Sequence, residues 1–309
     1  MMAFNIKKII FILIFIFFST NNVLAETNNN EFNDWLISFK KIALKKGISK
    51  QTLDKVFKNT QFLSQVIKYD RKQPEFFEDT NTYVGKRANN SRMKIAKRLL
   101  KKNKKLFSEI ENNFFVEKEI LLALWGIETN FGKHVGKMDI VSSLATLSYD
   151  KRRSEFFTSQ LLILLKLVDE NLINPNDLYG SWAGAYGNFQ FMPSTIKSYA
   201  IDYDKNNKIE LKKSLDDSLA SAANYISRIG WKYNEPCFVQ VTLTKKIKKK
   251  YINYSARGIS NRLKISKWKK KGIVINSNFE IDDNEKTALI LPDGNFDSPA
   301  FLVYRNYEK

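Results

Sequence analysis

Ala123-Leu124-Trp125-Gly126-Ile127-Glu128-Thr129-Asn130-Phe131-Gly132 closes an apolar segment and sets a single carboxylic acid at its end. Apolar side chains recur at helical spacing over 117–127, and Asn130 with Gly132 is the kind of pair that stops a helix. Trp125, Ile127 and Phe131 flank Glu128. A carboxyl held among such groups loses hydration, which penalises the ionised form and raises its pKa. It then keeps its proton near neutral pH and can donate it to a leaving glycosidic oxygen. The same spacing is equally compatible with a solvated Glu on the wet face of the helix.

Outward from this segment the pattern stays helical. Phe32, Trp35, Leu36, Phe39 and Ala43 fall on one face of a helix that Gly47 ends, and 52–58 predicts a second, short one. Pro74 interrupts 69–77, which is expected to be extended. Helices are expected over 83–107, where the charged residues are basic, and over 140–147, 153–170, 193–200 and 215–229. Beyond Gly230 and Pro236 the texture changes. Residues 238–244 alternate like a strand, 259–271 predicts a helix, and 286–291 and 300–304 predict strands joined through a Pro292-Asp-Gly turn. The expected fold is therefore mainly α, a helical domain over 26–235 followed by a small mixed α/β region over 236–309. No internal repeat is visible.

The first 25 residues have the layout of a secretory signal. Lys7-Lys8 precede an unbroken apolar run over 9–18, and Val23-Leu24-Ala25 offers a cleavage site. The run is shorter than the roughly 20 residues a membrane span needs. Export to the periplasm is the expectation. Cys237 is the only cysteine, so no intramolecular disulfide and no Cys-ligated zinc or iron–sulfur site can form. His134 is the only histidine, and without a Gly-x-Ser-x-Gly elbow a serine triad has no support. The formal charge of +19 over 309 residues would fall by two on loss of Lys7 and Lys8. It suits an anionic envelope polymer or membrane surface; an exported chain without a nucleic-acid motif is not expected to bind nucleic acid.

Two further stretches carry chemistry. Residues 180–194 (Gly-Ser-Trp-Ala-Gly-Ala-Tyr-Gly-Asn-Phe-Gln-Phe-Met-Pro-Ser) interleave glycines with aromatics. Glycines allow close backbone approach; Trp182, Tyr186, Phe189 and Phe191 are the right type to stack on sugar rings, and Ser181, Asn188 and Gln190 to hydrogen-bond them. A structural loop with a hydrophobic clamp fits the same composition. Asp202, Asp204 and Asn206, with the carbonyl of Lys208, follow the alternate-position pattern of a calcium loop. Asn207 stands where the sharp turn usually has Gly, and Lys213 where the twelfth ligand usually is Glu. A solvated polar loop is the alternative.

Together these stretches resemble the lytic murein transglycosylase B family, whose catalytic domain is lysozyme-like. The Glu128 motif, Ala145-Thr-Leu-Ser-Tyr149 followed by Arg152-Arg153, and the 181–193 loop match in order and spacing, as do Val66-Ile-Lys-Tyr-Asp-Arg-Lys-Gln-Pro-Glu75 and Ala223-Asn-Tyr225. The likeness covers roughly residues 32 to 305. It implies that Glu128 is the one catalytic acid/base, cleaving the MurNAc–GlcNAc β-1,4 bond of peptidoglycan to leave a 1,6-anhydro product. It implies a substrate groove lined by Ser181, Gln190 and Tyr225, with Tyr186 and Phe131 beside it, and Arg152 and Arg153 meeting peptide carboxylates or lactyl groups. It also implies a later calcium ligand at Asp217. No cofactor beyond that structural calcium is expected, the partner is the glycan strand, and the protein is expected to be a monomer near a membrane. The family pattern continues past the last strand into an Asn- and Tyr-containing segment, whereas this sequence ends at Lys309. A hydrolase on the same fold, a non-catalytic peptidoglycan binder and a basic envelope-binding module are the rival readings.

Overall fold

The computed structural model describes residues 29–72, 79–255, 257–277 and 280–309. The signal segment and the Pro74 connection lie outside them. None of the described helices is long and apolar enough to cross a membrane. The chain forms two compact units, neither of them continuous in sequence. Of the described residues, 29–72, 136–186 and 191–197 build one, and 79–135, 187–190 and those within 198–309 build the other. The boundary expected near residue 235 therefore falls inside the second unit.

The first unit is helical. Helix α1 (29–45) carries Phe32, Phe39 and Ala43 on its buried face, and Phe32 meets the Tyr149 ring edge-on at 5.7 Å. Helix α2 (Lys50–Val56) is capped by Ser49, whose side chain accepts from the Thr52 N–H. Helix α3 (Ser64–Arg71) occupies part of the stretch expected to be extended. Its Asp70 is buried by an ion-pair cluster, a tertiary reason that the nearby Pro74 obscures in the sequence. Helices α8 (Ile140–Tyr149) and α9 (Ser154–Asp169) form the centre. A helix apolar on all sides belongs in a core, and α8 is buried from Ile140 through Ser148. Three of its buried hydroxyls are used: Ser142 accepts from the Gln61 N–H, Thr146 from the Leu63 N–H, and Ser148 donates to the Leu144 carbonyl, whereas Ser143 Oγ is buried without a partner among the described residues. A two-residue ladder pairs β1 (Met138–Asp139) with β2 (Tyr179–Gly180).

In the second unit the expected long helix over 83–107 is broken into α4 (Thr80–Arg87), α5 (Asn90–Lys102) and α6 (Lys104–Phe114). Asp79 and Asn89 cap the first two, each accepting the N–H three residues on. Helices α7 (Lys118–Thr129) and α11 (Leu215–Arg228) pack with α6, and α10 (Pro193–Tyr199) is divided between the units. The rest of this unit is a sheet of β3 (Phe238–Leu243), β4 (Ile252–Asn253), β5 (Leu263–Lys264), β6 (Ile273–Ile275), β7 (Lys286–Ile290) and β8 (Ala300–Val303). Its spatial order is β4-β7-β8-β3-β6, with β5 also on β7. The β4–β7 pair is parallel and the others antiparallel. The helix expected over 259–271 shrinks to α12 (Ile265–Lys270) because Leu263 and Lys264 are taken by β7. Trp268 of α12 is completely buried on the sheet, and its Nε1–H donates to the Thr287 carbonyl at 3.0 Å.

Candidate active site

Glu128 stands in the last turn of α7. The helix is stopped by three successive residues with positive φ: Asn130 at 51°, Phe131 at 59° and Gly132 at 80°. Two of these carry side chains, so the backbone stores strain directly after the carboxyl. The reversal folds the Phe131 ring back over Gly126, where a Cβ would sit 2.8 Å from the ring Cζ. Phe131 also meets Trp125 edge-to-face, with centroids 5.8 Å apart.

The surroundings of Glu128 differ from the expected greasy pocket in detail. Trp125 is buried, but Ile127 is 49% exposed and screens nothing. Glu128 itself is reached by solvent, yet desolvation by the surrounding protein raises its carboxyl above the ordinary range. The two properties suit one task, since a proton donor must be approachable as well as poorly hydrated. Among the described residues the Glu128 carboxyl has no hydrogen-bond or ion-pair partner. None of the described residues donates a hydrogen bond to its ionised form.

What holds the helix end is Asn188, read in the sequence as a sugar donor. It is buried and its side chain is fully engaged. Oδ1 accepts from Trp125 Nε1–H at 2.9 Å, and Nδ2 donates to the Leu211 and Lys212 carbonyls and to Ser218 Oγ. Its carbonyl accepts from Thr129 Oγ1 at 2.8 Å, and its N–H donates to the Leu211 carbonyl. One residue thus ties the Glu128 helix to the 187–190 turn, to the Leu211 segment and to α11. No spacing rule links 125, 188, 211 and 218, so the sequence carries no signal for this hub. Gly187 makes the turn possible: with φ of 80°, a Cβ there would lie 2.5 Å from the Leu211 carbonyl oxygen.

Gln190, also in the left-handed region at φ 50°, donates from Nε2 to the carbonyls of Gly187 at 2.9 Å and Val135 at 3.2 Å. Its amide N–H groups shape the turn. Tyr225 lies on α11, half-buried, edge-on to Tyr199 at 5.1 Å. Glu128, Phe131, Gln190 and Tyr225 therefore all belong to the second unit.

Ser181, Tyr186, Arg152 and Arg153 belong to the first unit. Ser181 Oγ accepts from the Ala183 and Ala185 N–H groups, knotting its own loop. Of the four loop aromatics, Tyr186, Phe189 and Phe191 are buried, which leaves them little open ring face for a sugar. Trp182 remains half-exposed and lies 6.3 Å from Tyr69, itself 42% exposed. The carboxylate that the two arginines meet is the protein's own. Arg152 Nε donates to Asp70 Oδ2 at 2.7 Å and its Nη2 to the Asp70 carbonyl, while Arg153 Nη2 donates to Asp70 Oδ1. Asp70 is buried, and a carboxylate there needs such partners.

The acidic loop is folded around its own carboxylates. Asp202, Asp204 and Asp217 bring oxygens within 4.8 Å of one another, the only such group among the described residues. Asn207, at φ 66°, takes the turn position as expected. Asp202 accepts from the N–H groups of Asn206 and Asn207, and Asn206 Oδ1 from that of Lys208. Asp217, wholly buried, accepts from Tyr203 N–H at 2.8 Å and Glu210 N–H at 2.9 Å. Desolvation is the largest influence on Asp217 and raises it; the charge of Asp204 adds to the rise, while the backbone donors oppose it. A donor set of crowded hard oxygens, one of them buried, fits a calcium ion.

A transglycosylase SLT domain model matches residues 31–309. Membrane-bound lytic murein transglycosylase B of Escherichia coli (strain K12) is 40% identical over 117 residues, which is 38% of this chain and 32% of that protein. The match thus spans about a third of that relative's length. Among solved structures, SltB3 from Pseudomonas aeruginosa in complex with NAG-NAM-pentapeptide is similar with a TM-score of 0.83 and 32% identity, over 90% of this chain and 73% of that one. Its complex with NAG-anhNAM-pentapeptide gives 0.81 and 33% over the same shares. Escherichia coli Slt35 in complex with calcium gives 0.70 and 25%, over 91% and 85%.

Proposed function

The chain belongs to the transglycosylase SLT domain family, and from that premise we propose that it cleaves the β-1,4 bond between N-acetylmuramic acid and N-acetylglucosamine in peptidoglycan, leaving a 1,6-anhydro-muramoyl end. One observation carries the reading: Glu128 is an approachable carboxyl with raised proton affinity and, among the described residues, no partner to stabilise its anion. Protonated Glu128 gives its proton to the glycosidic oxygen as the bond to the muramoyl C1 breaks. The Glu128 carboxylate then takes the proton of the muramoyl 6-hydroxyl as that oxygen bonds to C1, which restores the acid. No second carboxylate is called for, as in other substrate-assisted glycosidases. The two SltB3 complexes, one with NAM and one with anhNAM, support this reading.

The test is mass spectrometry of sacculi digested with the protein. Anhydromuramoyl ends are the expected product; reducing muramic acid ends in their place would make the protein a hydrolase. Undigested sacculi would leave a binding protein.

The same reading extends to a structural calcium ion held by Asp202, Asp204, Asn206, the Lys208 carbonyl and Asp217. The ion supplies the positive charge that Asp204 and Asp217 otherwise lack. Around it, the chain holds Leu211 in place, and the Leu211 carbonyl receives two of the Asn188 hydrogen bonds. The protein acts on glycan strands outside the cytoplasm, delivered there by the 1–25 signal.

A further inference from the structure

The sheet region of the second unit contains a cavity of about 340 Å³ that the reaction above does not use. Glu235, Glu280, Asp282 and Glu285 line it, against the single ammonium of Lys232. Such a negative concentration is unexpected in a chain of net charge +19. None of the four carboxylates has an ion-pair partner among the described residues, whereas neighbouring Asp283 is paired with Lys269.

A second observation points into the same space. Tyr304, part of the cavity wall, is 4% exposed, and among the described residues its hydroxyl has no hydrogen-bond partner. The hydroxyl is not sealed away from solvent, and its residue lines the cavity. A buried phenol normally finds a partner; this one leaves a donor and an acceptor for a ligand. Burial, then the charges of Glu285 and Glu235, hold the phenol above its usual range, so it stays neutral.

The geometry selects among cations. These carboxylates do not form one of the close oxygen clusters a small metal ion needs; among the described residues only the 202–217 loop does. Pro236, Ile281 and the ring of Tyr233 add apolar wall, which suits methylene groups, and an aromatic rim attracts an ammonium. We propose that this cavity binds an organic ammonium ion, a primary amine on a short aliphatic chain such as the side-chain amine of a diamino acid. The ammonium sits among Glu235, Glu280 and Glu285 and donates to Tyr304 Oη, with the methylenes against Ile281 and Pro236.

The test is a nuclear magnetic resonance titration of the full chain with Nα-acetyl-lysinamide, with Nα-acetyl-norleucinamide as the isosteric probe lacking the amine. The lysine compound is expected to move the signals of 232–236 and 280–285 saturably, and the norleucine compound to leave them still. Glu280→Gln with Glu285→Gln should weaken binding about tenfold, as should Tyr304→Phe in a variant whose melting temperature is unchanged. Spermidine competing at the same signals would support the site and extend it to free polyamines. Equal binding of norleucinamide, no shift with either amine up to about 20 mM, or displacement of the amine from these signals by calcium chloride would each overturn the proposal.

Discussion

Glu128 and Asp217 lie in the same compact unit, and loss of water raises both carboxyls. The protein treats them oppositely. Asp217 is wholly buried and wrapped by backbone N–H donors, with Asp204 beside it. Glu128 meets solvent and receives no donor from the described residues. Donors aimed at a carboxylate prepare it to stay charged and hold a cation; their absence prepares a carboxyl to keep a proton and give it away. On the proposed reading, the difference between a ligand and an acid lies in the backbone around each group more than in its burial.

The largest effect should come from Glu128→Gln, which removes the proton and keeps the shape. Sacculus solubilisation should fall by about 100- to 10,000-fold, the range for loss of a general acid, with no loss of thermal stability. A variant that still digests sacculi would end the assignment of Glu128. Asn188→Ala leaves the buried Trp125 Nε1–H without its acceptor, while the Leu211 carbonyl keeps the backbone N–H of residue 188 and Ser218 Oγ. A buried polar group left unpaired costs about 1–3 kcal/mol, so urea unfolding should show a loss of about that size. Activity should fall further than stability at a temperature where the variant is folded, because the mount of α7 is lost.

Chelation probes the other carboxyl. Calcium at about 100 times its dissociation constant should stabilise the protein by about 2.7 kcal/mol over the chelated form in a thermal melt, and Asp217→Asn should abolish that difference. The smallest effect is a pH dependence. A carboxyl whose folded pKa lies above its unfolded one costs stability when ionised, and the cost disappears as pH falls through the folded value. Glu128→Gln should therefore raise the melting temperature slightly at about pH 8 and not at about pH 4. The activity of the unaltered chain should decline as pH rises through the same elevated pKa. A decline that survives in Asp217→Asn but shifts with changes near Glu128 would separate the two groups.

The helices were legible because long segments such as α9 repeat their apolar face several times. The two-residue strands β1, β2, β4 and β5 were not, since so short a pairing shows no alternation and is set by the strand opposite. The 259–271 segment carries helix-forming residues throughout, and β7 claims two of them. At the site, local context offered Glu128 only as a candidate that a solvated Glu fitted equally well, and the alternate-oxygen pattern of 202–208 was legible beside a solvated loop as its rival; the resemblance to a family singled out Glu128. The roles of Asn188 and Asp70 were not legible, because each satisfies groups that are distant in the chain. The aromatics of 180–191 show the limit of composition: a Tyr or Phe that could stack on a sugar looks the same in sequence as one that closes a core.

The left-handed stop at Asn130 has one more effect on the acid before it. Aligned peptide dipoles leave partial negative charge at a helix C-terminus, felt within the last turn. Glu128 stands there, so the field at the carbonyl end of α7 disfavours its anion, in the same direction as its loss of water. Had the same carboxyl stood at the opposite end, where Lys118 begins the helix, that field would have favoured the anion and worked against a proton donor.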